Sequence, residues 1–247
     1  MTLLPSTPST RAATLPKTAT WHLIWFTGVS AGSFLVPFLL TSVWTLQHDL
    51  YYLIYFVTTL SMLAVYVRSS GFDLAERFRS RRRSSLLVGL IAAAFVVWSV
   101  LARVDGTPRP AGLYYLFEIF WRGAVYGVVD ALLLSAFPGL VALGVMRSKT
   151  SGLLRRTAYG LLTLLLVVFI TVAYHVGYEE LRDRDVAKPM LGNVVISIPV
   201  IATANPIGSI LAHTAMHLAA VTHAYESKDR LPPQVLVRHA HPRQRPR

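Results

Sequence analysis

Ser85-Leu-Leu-Val-Gly-Leu-Ile-Ala-Ala-Ala-Phe-Val-Val-Trp-Ser-Val-Leu-Ala102 runs for 18 residues without a charge, just behind Arg81-Arg82-Arg83. As a helix it rises about 27 Å, close to the roughly 30 Å of a bilayer's hydrocarbon core. Five further apolar runs flank it: Trp21–Leu46, Leu50–Val67, one within Leu113–Met146, Thr157–Tyr174 and one within Asn193–Ala224. The composition agrees: 53% of the 247 residues are hydrophobic and 15% charged, where a soluble domain carries about a quarter charged. The reading is an all-α, polytopic membrane helix bundle of six transmembrane helices over residues 20–225. Residues 1–19 are rich in Thr, Ser and Pro without periodicity and are expected to be disordered; residues 226–247 form a basic tail. The first apolar run begins at Trp21 and is longer than the core of a signal peptide, so it is expected to stay as the first helix.

Charge sets the expected orientation. Arg68, Arg77, Arg79, Arg81, Arg82 and Arg83 face only Asp73 and Glu76 in one loop, and Arg147–Arg156 holds four bases and no acid. In a six-helix chain these loops and the tail share one side, which the positive-inside rule makes cytoplasmic. Both termini are therefore predicted to be cytoplasmic, in a multi-pass protein of the cell membrane. The net charge of +12 is read as contact with anionic lipid rather than nucleic acid, leaving the bilayer as the expected partner and protein partners and oligomeric state open. With no cysteine, disulfides, Cys-ligated zinc and iron–sulfur clusters are excluded.

Two runs are too long for one straight crossing. Leu113–Met146 would reach about 50 Å, and its aromatic opening, Tyr114 to Arg122, is expected at the outer interface or as a partly re-entrant segment. Ala204-Asn205-Pro206-Ile207-Gly208 predicts a kink or break in the sixth run. Tyr51-Tyr52 reads as an interfacial anchor.

Chemistry concentrates in few residues. His213 and His217, four apart, share a helix face; on an apolar segment they read as ligands for a divalent metal such as zinc, as haem ligands, as a proton relay, or as neutral imidazoles bonded to carbonyls. The spacing matches the histidines of H-E-x-x-H, but Thr214 stands where the glutamate would be. Asp130, with no base nearby in sequence, must be protonated, paired across helices or wet, and so reads as a proton or cation site, a histidine partner or a hydrogen-bonded structural acid. Glu118 and Arg122 have the spacing and polarity of a helical ion pair. His175 closes the fifth run before a charged loop, Asn205 is a polar group at the helix break, and His223 is interfacial.

Phe117-Glu118-Ile-Phe-Trp-Arg122-Gly123 resembles the first motif of the CPBP family, the CAAX-protease and bacteriocin-processing membrane enzymes. The resemblance implies a helical bundle in which a carboxylate and histidines activate water to cut a peptide bond. Carried over by position, Glu118 and Arg122 match that motif's second glutamate and arginine, His175 its middle histidine, and His213 with His217 its last pair. Phe117 stands where the first glutamate would be, Thr171 where an aromatic precedes the middle histidine, and His217 where asparagine is usual.

Four functions fit these residues: a metal-dependent hydrolase using Glu118, Arg122, His175, His213 and His217; an ion- or proton-coupled transporter lined by Asp130, Asn205 and the histidines; a haem protein, ranked last because His213 and His217 share one face; and a non-catalytic assembly subunit packed through small residues such as Gly28 and Gly32. Whether the chain is an enzyme is left open by its sequence.

Overall fold

The computed structural model describes residues 17–148, 150–182 and 186–225; the expected disordered segment before residue 17 and the basic tail from residue 226 lie outside them. Every regular element among the described residues is helical. The elements are α1 (Ala19–Val43), α2 (His48–Ser70), α3 (Leu74–Arg79), α4 (Arg82–Arg103), α5 (Leu113–Val145), α6 (Leu153–Val176), α7 (Glu179–Arg182), α8 (Ala187–Thr203) and α9 (Ile207–His223). Of these, α1, α2, α4, α5 and α6 are long and apolar enough to cross a membrane. Ile24, Leu87, Ile91, Leu161 and Leu165 on three of these helices are exposed, forming an apolar outer surface suited to lipid. Helix α5 is the central strut: 83% of its most apolar stretch is buried, against 33–39% in the other four long helices.

The aromatic start of α5 is not re-entrant. Leu113–Val145 is one helix of 33 residues, interrupted by wide π turns at Ile119–Val125 and Leu132–Ala136. The second turn precedes Pro138, whose missing N–H leaves the Leu134 carbonyl without its helical donor. Asn193 Nδ2 on α8 supplies one at 3.2 Å, so the proline doubles as a tie between α5 and α8. Tyr51 and Tyr52 do not anchor the interface: both are fully buried, because the start of α2 packs inward against α5.

The sixth apolar run is two antiparallel helices, α8 and α9. Ala204 takes a left-handed conformation at φ 57°, and Asn205 Oδ1 accepts from the Ile207 N–H at 2.9 Å. Asn205 Nδ2 reaches the carbonyls of Arg77 (2.9 Å), Phe78 (3.1 Å) and Ser80 (2.5 Å) at the end of α3. The Asn-Pro pair thus breaks the run, as expected of a kink or break there, and turns the break into a reversal pinned to the α3 loop. Each helix has 17 residues and rises about 25 Å.

Helix α9 runs parallel to α4. Ser85 Oγ donates to the Asn205 carbonyl (2.8 Å) and accepts from the Gly208 N–H (3.1 Å) at one end; Ala212 packs on Ala92, Ala93 and Val96 midway; and His223 Nε2 donates to the Val104 carbonyl at 2.9 Å at the other. Among the described residues the bundle therefore has seven legs, α1, α2, α4, α5, α6, α8 and α9, the last two being the halves of the sixth apolar run. His22 near the start of α1 meets Tyr66 at the end of α2 (3.0 Å), whereas Tyr225 lies on Arg122 near the start of α5. The described chain therefore begins, at residue 17, and ends, at residue 225, at opposite ends of the bundle. His223, expected at the end that carries the arginine-rich loops, lies at the other.

Candidate metal centre

Helices α5 and α9 run antiparallel and very close. A Cβ on Gly127 would lie 2.8 Å from Thr214 Cα and 3.2 Å from His217 Cβ, so glycine lets the two backbones touch. That contact brings Asp130, one turn further along α5, to the histidine face of α9. His213 Nε2 lies 3.8 Å and His217 Nε2 3.6 Å from Asp130 Oδ2. The two imidazoles stack in parallel, 5.1 Å between centroids and 4° between planes. All three side chains are at least 95% buried or close to it, with residue exposures of 3–4%, and one ligand atom from each lies within 4.8 Å of the others.

Tyrosines wrap this group. Tyr55 donates to Asp130 Oδ1 at 2.5 Å, holding one carboxylate oxygen and leaving Oδ2 toward the histidines. The Tyr126 ring stands edge-on to His217 at 4.8 Å, and its hydroxyl shares a 2.5 Å hydrogen bond with Tyr174. Tyr178 donates to Tyr174 at 2.7 Å, and the Tyr51 and Tyr178 hydroxyls are bonded to each other. A hydroxyl chain thus links Tyr126, Tyr174, Tyr178 and Tyr51, the last at the start of α2. By contrast His213 Nδ1 and both nitrogens of His217 have no hydrogen-bond partner despite burial, and buried polar atoms are seldom left so.

The separations discriminate between a salt bridge and a metal cage. Charge-assisted N–H···O bonds run about 2.7–2.9 Å. Ligand atoms about 2.0–2.1 Å from a tetrahedral ion lie about 3.3 Å apart. At 3.6 and 3.8 Å the carboxylate–imidazole contacts are too long for hydrogen bonds and close to the edge of such a cage. Two imidazoles and a carboxylate are a donor set that zinc and other first-row ions accept.

The other residues singled out from the sequence lie elsewhere. Glu118 and Arg122 pair with each other in the first turns of α5, about 18 and 12 Å along the helix from Asp130. His175 uses its Nδ1 to donate to the Thr171 carbonyl at 2.7 Å and is outside the three-residue ligand group. Asn205 sits at the α8–α9 reversal. The tyrosines were missed as site residues, although Tyr126 lies four residues before Asp130, and Tyr51 with Tyr55 and Tyr174 with Tyr178 repeat the same spacing. Comparison with family models, curated proteins and solved structures found no match to this chain.

Proposed function

We propose that this protein is a membrane-embedded, metal-dependent hydrolase whose ion, zinc by the donor set, is held by Asp130, His213 and His217. The observation that carries the reading is the spacing of Asp130 Oδ2 from both imidazoles, cage-like rather than hydrogen-bonded, together with imidazole nitrogens that have no other partner. Three protein ligands leave a fourth position open, the pattern of catalytic rather than structural zinc. An ion held there would supply a Lewis acid and would lower the pKa of a bound water toward neutrality. The chain's own contribution is orientation: Tyr55 fixes the carboxylate from outside the cage, and the Gly127 contact fixes the distance between the two ligand-bearing helices. The resemblance to the CPBP enzymes makes a peptide bond the substrate to try first. In this reading Asp130 does the work assigned there to glutamate, and Glu118, Arg122 and His175 do not touch the ion.

The test is the transition-metal content of the detergent-purified full chain, followed by cleavage of a quenched-fluorescence peptide library by the reconstituted protein. The expected result is near-stoichiometric zinc, lost in His213→Ala and Asp130→Asn, with cleavage stopped by a chelator and restored by zinc. A folded protein that holds no transition metal even after zinc addition overturns the reading. One observation favours a second reading, a proton-coupled transporter: the tyrosine hydroxyl chain beside Asp130 is the kind of network along which protons move. That reading predicts a metal-free protein whose vesicles couple substrate uptake to a proton gradient and lose the coupling in Asp130→Asn.

A further inference from the structure

A second polar cluster lies toward the start of α5. Arg122 and Glu118 are 2% and 0% exposed. A guanidinium offers five N–H donors, yet Arg122 spends only Nη1, on Glu118 Oε2; its Nε and Nη2 have no partner. Those two nitrogens form one edge of the planar group, the edge that grips a carboxylate or phosphate through two parallel bonds. The Tyr52 hydroxyl, fully buried and next to the guanidinium, is also without a hydrogen bond, as is Nε2 of His48, whose ring is tilted 49° against Tyr52 at 4.8 Å; of the carboxylates facing His48, Glu118 Oε1 and Asp49 Oδ1 are likewise unbonded. The Tyr225 ring covers the other side of the guanidinium, its centroid 4.7 Å from Cζ.

Leaving so many donors buried and unused costs several kcal/mol, and the Glu118 pair alone does not recover it. Position gives the cluster its meaning. Asp130 is near the middle of the 33-residue α5, so Arg122, eight residues away, sits about 12 Å from mid-helix, near the edge of the hydrocarbon core where phosphate and carboxylate groups lie. We infer that Arg122, with Tyr52 and His48, forms an oxyanion site that takes the carboxylate or phosphate of a ligand on the Nε/Nη2 edge, with Glu118 holding the guanidinium in place. This site is separate from the metal centre and stands or falls independently of the hydrolase reading.

The experiment is thermal unfolding of the full chain in a neutral detergent, titrated separately with inorganic phosphate, with acetate, and with mixed micelles of phosphatidylglycerol, phosphatidylcholine micelles serving as the lipid blank. The expected result is a saturable rise in the midpoint with at least one oxyanion probe. A response to free phosphate or acetate assigns a soluble ligand; a response to phosphatidylglycerol alone assigns a lipid headgroup. Arg122→Lys, which keeps the charge without the two-pronged edge, and Tyr52→Phe, which removes one donor, are each expected to weaken the apparent affinity about tenfold. Because Arg122→Gln alone leaves Glu118 buried without its partner, the double variant Glu118→Gln/Arg122→Gln is the null for binding and is expected to abolish the response. No response of the wild-type chain to any probe, or an equal response in the double variant, overturns the inference.

Discussion

Gly208→Ala tests how the fold positions the proposed metal centre. The new Cβ would lie 2.0 Å from the Ser85 carbonyl oxygen and 2.8 Å from Pro199 Cβ, where ordinary contact begins at 3.4 Å. Gly89 faces the same point from α4, its own Cβ position 2.5 Å from Gly208 Cα, so the neighbours are backbone and cannot swing aside. Helices α4 and α9 must separate by about 1.4 Å, an overpacking change that costs roughly 1–3 kcal/mol. The separation also stretches the Gly208 N–H to Ser85 and Ser85 to Asn205 hydrogen bonds, each worth about 1 kcal/mol. The total, about 3–5 kcal/mol, corresponds to a midpoint lowered on the order of 10 °C for a chain of this size. His213 lies five residues beyond Gly208 on the same rigid helix, so its ring moves relative to Asp130 and zinc binding weakens with stability. The assay is thermal unfolding in detergent with metal content measured on the same sample. Gly28→Ala is the control, since nothing lies within 4 Å of its Cβ position and a mid-helix alanine is neutral or slightly stabilising. A Gly208→Ala protein that melts within about 2 °C of wild type and keeps its zinc would refute the reasoning.

Tyr55→Phe removes the bond that orients the Asp130 carboxylate and is expected to weaken zinc binding about 10–100-fold, with full occupancy recovered at saturating zinc in equilibrium dialysis; unchanged affinity would show that the carboxylate needs no outside support. Asn193→Leu deprives the Leu134 carbonyl and Thr171 of their donor and is expected to cost about 1–3 kcal/mol, read as a lower unfolding midpoint without loss of metal at saturation; a wild-type midpoint counts against the tie. Asn205→Ala removes three contacts to α3 carbonyls and is expected to loosen the α8–α9 reversal, read as faster proteolysis at that turn. The seven-leg order is tested with a membrane-impermeant maleimide on sealed vesicles, without background because the chain has no cysteine. Lys17→Cys and Ser151→Cys are expected to label from one side, Pro108→Cys and Tyr225→Cys from the other; Tyr225→Cys labelling together with Lys17→Cys would restore the six-helix order.

The long apolar runs were legible because lipid-facing helices need unbroken apolar length, and α1, α2, α4, α5 and α6 all appear within a few residues of where hydropathy puts them. The reversal at Ala204–Pro206 was not. An Asn-Pro pair inside an apolar run serves a kink and a turn equally well, and each half of the run is short for a crossing. What selects the turn is the contact of Asn205 with carbonyls about 125 residues earlier in the chain, which no local pattern encodes. The orientation argument counted that run as one crossing, whereas the reversal sets residues 17 and 225 at opposite ends of the bundle. The site was half legible. His213 and His217 stood out as polar groups in an apolar helix, and Asp130 as a carboxylate needing a partner; their meeting depended on the α5–α9 approach at Gly127. The tyrosines stayed hidden because an aromatic at a helix start reads as an interfacial anchor, and only the packing of α2 on α5 reveals that Tyr51, Tyr52 and Tyr55 point inward.

Helix α5 explains why two polar centres occupy one apolar helix. Glu118, Arg122, Tyr126 and Asp130 recur every four residues. On a regular α-helix each such step drifts about 40°, so three steps would carry the last residue about 120° around the axis, a third of the way toward a different neighbour. The π turn over Ile119–Val125 widens the coil within this stretch and reduces the drift, so all four side chains stay inside the bundle, each no more than 4% exposed. A π turn is an irregularity that a helix keeps at a cost and that is frequent at functional sites. Here it aligns the Arg122 cluster, the tyrosine hydroxyls and the Asp130 carboxylate along the buried side of one helix, while the glycines at 123 and 127 hold α9 close enough for His213 and His217 to complete the site. Irregular backbone, close-approach glycines and buried polar groups fall on the same three turns, and the Asp130–His213–His217 cluster is where that coincidence is greatest.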